Sequence, residues 1–462
     1  MPEDLPESAT DVVIIGAGLS GLQAARSLQD AGFTVVLLEA RSRIGGKTWS
    51  IVHQDGSGVA DLGAEWLNDI TQPHVYQLAQ KLGLQFVEVK VKGDAVLQGL
   101  DNILIRHSYG EQAPLPDSED EVVKQMKILF EEECSKIDLE ECHHCQHDEV
   151  TLEDFVRSRG GGPATLATVA VWTRVMLGCE PTELSAAYFF VYCKSQGGLM
   201  KMRSGQVQGR YGTIKTGTQS IAEGLAATLS PGSVRLATAV KSIVQIEGGL
   251  EVHGTDGQLF HGRKAIVAFS TPLYKKISFD PPLPTEKALF TSSTRLGYYT
   301  KVMAVCNKPW RRANGLSGAS QSFVGPAAAT RDTSDDAYPR YRLTSFIAGR
   351  PGETWSQLPP AERKAAVLTQ LAHLFGSNDA DHPIEYIEQH WSSEEWSLGC
   401  PCPYTSPGML TGVGESISEP HGHVHFVGTE TAVEWKGYME GALTSGIRGA
   451  NEVVSHLKGV VA

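Results

Sequence analysis

The sequence predicts an α/β fold: a doubly wound, three-layer domain joined to a second, discontinuous α+β domain. Three observations lead there. First, "DVVIIGAGLSGLQAARSLQDAGFTVVLLEA", Asp11 to Ala40, alternates a buried strand, a glycine turn, a helix and a second strand. Second, 462 residues exceed what one hydrophobic core usually supports. Third, helical patterns dominate residues 86–214, whereas strand-like runs such as "TKVMAVCN" mark residues 286–394.

The opening unit can be justified residue by residue. Val12 to Ile15 is a continuous apolar run, as expected of a strand covered on both faces. Gly16 permits a tight turn, Gly18 lets backbone approach a pyrophosphate at a helix amino terminus, and Gly21 allows close helix-to-strand packing. Leu22, Ala25 and Leu28 recur at helical spacing, and a second strand, Thr34 to Leu38, ends at Glu39, placed to accept hydrogen bonds from a ribose. This is the dinucleotide fingerprint in its proper context, hence a Rossmann-like domain. In "ARSRIGGKTWS", Arg41 and Arg43 can neutralise a diphosphate, and Gly45 and Gly46 let N–H groups face it.

Composition narrows the partners. A formal charge of -13 disfavours nucleic acid and anionic membrane surfaces and mildly attracts cationic small molecules. No run reaches the roughly 20 apolar residues of a membrane span, and the acidic start "MPEDLPESATD" lacks the pattern of a secretory signal. Eight scattered cysteines suggest a reduced, cytoplasmic setting.

The order Glu39, Ala40, Arg41, then Gly-Gly-Lys-Thr from Gly45, resembles the flavin amine oxidases, a family that includes monoamine, polyamine and L-amino-acid oxidases. Further segments are similar to that family: "DLGAEWL" from Asp61, "VRLATAVKSI" around Val240, "FDPPLP" from Phe279, and "HFVGTETAVEWKGYMEGALTSGIRGA" from His425. The resemblance implies bound FAD, held by Gly16, Gly18, Gly21, Glu39, Ala40, Arg41, Gly46, Lys47, Gly63, Ala64, Glu65, Trp66, Val240, Trp391, Cys400, Gly428, Thr429, Glu430, Gly437, Tyr438 and Met439. Residues 1–85, 215–285 and 395–462 would form the FAD-binding domain, and residues 86–214 and 286–394 the substrate-binding domain.

It also implies roles at the chemical end. Lys301 matches a strand lysine that holds a water at the flavin, and Trp391 a tryptophan kept beside it. Tyr438 matches one of two aromatic rings that flank the amine in monoamine oxidases; Pro401 stands at the other. Tyr192, Met202, Arg203, Gln208 and Phe346 join Tyr438 as candidate substrate contacts, and Arg203 would favour an anionic group if it faced the cavity. In "GCPCP", Cys400 falls where monoamine oxidases bond sulfur to flavin, although many relatives carry the flavin unbonded; Cys402 has no counterpart. "ECHHCQHDE", with Cys142, His143, His144, Cys145 and His147, lacks a second ligand pair at zinc-finger distance, so no metal is expected.

The expected activity is oxidation of a primary amine, long-chain aliphatic, to a carbonyl product and ammonia, with oxygen reduced to hydrogen peroxide by a homodimer. Fungal oxidases of amino polyols such as fumonisin fit that description. An L-amino-acid or polyamine oxidase, and a flavin-holding interaction protein without turnover, are the rivals.

Overall fold

The computed structural model describes residues 9–89, 91–203, 209–336, 338 and 340–459. The strand Thr10–Ile15 is apolar and buried from Val12 to Ile15 because its two faces serve different cores. Val12 and Ile14 pack with Leu22 and Leu28 of the helix Leu19–Asp30 and with Leu443 and Val453 of the carboxyl-terminal helix Met439–Lys458. Val13 and Ile15 instead meet Val240, Ile243, Leu250 and Val252.

Those residues belong to one eight-stranded sheet. Val234–Arg235, Val35–Leu38, Thr10–Ile15, Leu259–Val267 and Val424–Phe426 lie side by side and parallel. Leu259–Val267 then continues into an antiparallel meander with Gly249–Gly254 and Val240–Ile246, and Ser278–Asp280 closes the edge in parallel. The three layers are therefore helices, sheet and meander. "IEGGL" explains the third layer: Glu247 and Gly248, with Gly248 at φ +80°, make a two-residue hairpin turn that keeps the chain in strands. On the helical side Gly446 is required by close approach, since a Cβ there would lie 2.4 Å from the Ser20 carbonyl oxygen.

A second, seven-stranded sheet runs in the order Glu385–His390, Tyr299–Cys306, Tyr341–Ala348, Ala327–Asp332, Leu316–Ser322, Asp94–Gln98, Leu104–Ser108. The region read as helical thus also contributes a hairpin, Asp94–Gln98 with Leu104–Ser108, to this sheet. Val302, Ala304 and Cys306 pack beneath the helix Pro360–Phe375. Alternation then turns Tyr299 and Lys301 to the opposite face, where Phe346 pairs directly across from Lys301. Helices Asp117–Ser135, Leu152–Arg157, Pro163–Leu177 and Ala186–Ser195 close around Phe130, Phe155, Trp172 and Phe189. Among the described residues no helix is long and apolar enough to cross a membrane.

Candidate active site

A cleft opens at the carboxyl ends of the parallel strands, where Ile15 gives way to Gly16, Leu38 to Glu39, and Phe426 to Gly428. Its walls include Gly16, Gly18, Glu39, Ala40, Arg41, Gly46, Lys47, Val240, Gly428, Thr429 and Glu430, all expected from the sequence. Thr238, Ser270, Lys276 and Trp396 line it too and were not foreseen. Lys276 ends the 3₁₀ helix Thr271–Lys276, and the other three lie in connecting segments with no side-chain pattern to mark them.

The lining suits FAD. The helix Leu19–Asp30 begins at Gly18 with no side-chain cap and no acidic residue in its first turn, so its amino-terminal N–H groups are left for an anion. A Cβ on Gly18 would meet no protein atom within 4 Å, which leaves the approach to the helix end open. Glu39 is 4% exposed, and its carboxylate accepts from Ala17 N at 2.8 Å and Arg41 N at 2.9 Å, fixing it at the strand end where a ribose would sit. Arg41 and Lys47 bring positive charge to the wall. Arg43 differs from the reading that paired it with Arg41. It does not join these wall residues; its guanidinium lies 4.3 Å from the Trp49 ring centre and donates to the Ile44 and Gly46 carbonyls, bracing the loop.

Gly21 is in packing, as its spacing implied: a Cβ there would lie 2.0 Å from the Gly16 carbonyl oxygen. Met439 is likewise a core residue at the start of the last helix. At Val240 the strand register slips before Ser242, a bulge beside the cleft.

Lys47 joins the cleft to a second group of residues. Its ammonium donates to the Pro401 carbonyl at 3.0 Å, and its own carbonyl accepts from Ala64 N at 3.1 Å. Gly63 follows closely, with a would-be Cβ 3.0 Å from Trp391, whose indole N–H bonds the Leu62 carbonyl at 2.9 Å. Lys301 donates to Asp61 O at 2.6 Å, Gly63 O at 3.2 Å and Glu65 Oε2 at 2.5 Å. Glu65, read as a flavin neighbour, has its carboxylate committed to this lysine, with the two side chains 2% and 3% exposed. Asp61 beside them is pushed up to about 6 by burial and by the Glu65 charge.

Aromatic rings complete the site. Trp66 and Tyr299 each lie 6.0 Å from Phe346, and Cys400 packs on the same group. Tyr438 abuts Trp435 at 5.2 Å, and Tyr192, whose hydroxyl donates to the Met176 carbonyl at 3.4 Å, lies near its phenol. Burial pushes the Tyr299 phenol far up, with Cys400 and Tyr438 close enough to add to the effect. Tyr299 was missed; it stands two positions before Lys301 on one strand, so period-two alternation was the available signal. Tyr192 is itself buried, so it supports Tyr438 from behind. Gly437, at φ +85°, lets Cys402 and Tyr192 come within 3.1 Å of where a Cβ would be. Met202 packs against the helical core; the Arg203 side chain and Gln208 lie outside what the structure describes.

The family model described as flavin containing amine oxidoreductase matches residues 19–454. An amine oxidase (flavin-containing) of Danio rerio is 30% identical over 459 residues, covering 97% of this chain and 86% of its own length. Among solved structures, a putrescine oxidase bound to putrescine superposes with a TM-score of 0.91 at 26% identity, covering 97% of this chain and 99% of its own. A cyclohexylamine oxidase from Brevibacterium oxydans also gives 0.91 at 26% identity, with 97% and 100% covered. With the fingerprint, the anion-ready helix end and the aromatic cluster in one molecule, this chain belongs to the family of flavin-containing amine oxidases.

Proposed function

We propose that the enzyme oxidatively deaminates a primary, long-chain aliphatic amine to a carbonyl product and ammonia, with oxygen reduced to hydrogen peroxide. The observation that carries the amine class is the aromatic cluster of Trp66, Tyr299 and Phe346 beside Cys400, with Tyr438 near Tyr299 and Pro401 at one position of the expected aromatic pair. A proline cannot offer a ring face to an amine, so an extended alkyl chain suits this wall better than a second ring. Putrescine and cyclohexylamine, acted on by the two structural neighbours, are aliphatic amines.

Bound FAD supplies the two-electron acceptor. The chain's own residues do the remainder. The net negative charge favours approach of a cationic amine, and the apolar, aromatic pocket then disfavours the ammonium and selects the neutral form. Burial raises the Tyr438 phenol, which stays protonated and presents a neutral ring packed on Trp435. Lys301, fixed by Glu65, is a positioning residue that braces Asp61 to Glu65 against the second sheet. In the same reading, residues 1–85, 215–285 and 395–462 hold FAD, residues 86–214 and 286–394 hold the amine, and the enzyme is a cytoplasmic homodimer.

Peroxide release measured on a panel of primary amines tests this. Rising kcat/KM with alkyl length, and weak activity on benzylamine, is expected. Preference for L-amino acids or for polyamines would replace the proposal with one of its rivals.

A further inference from the structure

We infer that Cys142 and Cys145 are a redox-active dithiol, converted by hydrogen peroxide into an intramolecular disulfide. The placement is local and geometric. Cys142 opens the 3₁₀ turn Cys142–His144 and Cys145 closes it, its N–H donating to the Cys142 carbonyl at 3.1 Å. In a three-residue turn, side chains three apart fall on one face, and Cα atoms four residues into a turn stay within about 7 Å, the range a disulfide spans. The Cys142 thiol sits at the head of the turn, donating to the Leu139 carbonyl at 3.5 Å, and each thiol perturbs the titration of the other.

Access separates this pair from most of the other cysteines. Cys134, Cys179, Cys193, Cys306 and Cys402 are buried; Cys142 and Cys145 are half-buried, with Glu141, His144 and Gln146 exposed around them. Cys400 is also half-buried but belongs to the site described above. A metal is the competing use of such a motif. Among the described residues no three His, Cys, Asp or Glu side chains converge as a metal site.

The electrostatics supply a nucleophile. The Cys142 thiol is drawn below its ordinary value, first by its neighbour Cys145 and then by the charge of Lys436. Lys436 is anchored on the Glu430 carbonyl at 3.1 Å and precedes Gly437 and Tyr438 in the chain, so the dithiol adjoins the segment that walls the active site. The turn also packs against Leu410–Val413 and Gly414–Ile417, in the stretch that follows Cys400 and Cys402.

The chemistry balances with peroxide as the only oxidant. The Cys142 thiolate attacks one peroxide oxygen; the S–O bond forms, the O–O bond breaks, and the departing hydroxide takes a proton to become water. The Cys145 thiol then displaces a second water from the sulfenic acid as the S–S bond forms. Two thiols and one peroxide give one disulfide and two waters. The proposed deamination releases this oxidant.

The test is made on pre-reduced holoenzyme exposed to hydrogen peroxide, then unfolded, alkylated and mapped by mass spectrometry. The peptide carrying Cys142 and Cys145 is expected to lose both alkylation sites and the mass of two hydrogens, and catalase added beforehand should prevent it. In Cys145→Ser, Cys142 should stop at the sulfenic acid and be trapped by a dimedone-type reagent; in Cys142→Ser, Cys145 should remain alkylatable. Full alkylation of both thiols after peroxide, or oxidation of Cys142 with Cys145 still free in the unsubstituted chain, would overturn the inference. Because peroxide is added from outside, the result is independent of turnover. A protein inactive on every amine that still forms the disulfide sinks the proposed function and leaves this inference standing.

Discussion

The Lys301 ammonium is held by three acceptors at once: Glu65 Oε2 at 2.5 Å, Asp61 O at 2.6 Å and Gly63 O at 3.2 Å. An ammonium has three N–H donors, so each is engaged. Removing the lysine strands a buried carboxylate, a change that costs about 3–5 kcal/mol in comparable pairs. The three contacts give Lys301 a role in holding the loop, and the role in the reaction that the resemblance implies has to be read apart from it.

They separate with two variants. Lys301→Met should lower thermal stability and slow reoxidation by oxygen far more than reduction by amine, read in separate half-reactions. Lys301→Met with Glu65→Gln should regain most of the stability, because the orphan charge is gone, yet keep the slow reoxidation. If the double variant recovers both, Lys301 is structural alone.

Two glycines of the fingerprint should fail differently. Gly18→Ala adds a methyl group where no protein atom lies within 4 Å, beside the uncapped helix end. Folded but pale protein is expected, with FAD content down at least several-fold by absorbance and an unchanged circular dichroism spectrum. Gly21→Ala puts a Cβ 2.0 Å from a backbone oxygen, so it should reduce folded yield whether or not FAD is supplied. Full flavin loading of Gly18→Ala would remove the cleft's assignment.

How much of this was legible depended on whether the signal was local. Gly16, Gly18 and Glu39 sit within one strand–helix–strand unit, so spacing alone located the cleft. The third layer was less visible, because a helical layer would bury Val13 and Ile15 as well as the meander does, and only the Glu247–Gly248 turn distinguishes the two. The Lys301–Glu65 pair joins residues 236 apart, on a sheet and a loop that no short pattern links. Cys402 was unexplained by its neighbours in sequence; it is a packing residue, fully buried with the Tyr188 hydroxyl at 4.0 Å.

Asp61 should give the protein a marked acid-side stability profile. Its carboxyl is pushed up from 3.8 to about 6, chiefly by burial, then by Glu65. The folded state thus holds this proton more tightly than the unfolded chain. The associated stability is present below about pH 4 and is lost as pH rises through about 6, a change of roughly 3 kcal/mol. Asp61→Asn keeps an acceptor for Ser50 and Thr218 but cannot ionise. Its melting temperature should vary less than that of the natural chain between those two pH values. An identical slope in both proteins would assign the titration elsewhere.

Cys400 poses the sharpest remaining question, and the structure separates it from Cys402. Cys400 is half-buried against Tyr299, Phe346 and Trp66, beside the Pro401 carbonyl that binds Lys47. Its thiol is pushed up to about 11 by burial, against which Lys47 and Lys301 act, so its place on the aromatic wall, and not thiolate character, is what sets it apart. Cys402 is fully buried, packed against Gly437 and Tyr188, with its thiol pushed up to about 12. A flavin bonded to sulfur should therefore be bonded at Cys400. After acid or heat denaturation the yellow colour should stay on the precipitate, and the intact mass should exceed the chain mass by about one FAD. Cys400→Ala should release the colour to the supernatant, whereas Cys402→Ala should leave it in place while lowering thermal stability, since it empties packed volume in the helical core. A yellow supernatant from the natural chain would make Cys400 a packing thiol on the pocket wall, and peroxide release by Cys400→Ala should then match that of the natural chain.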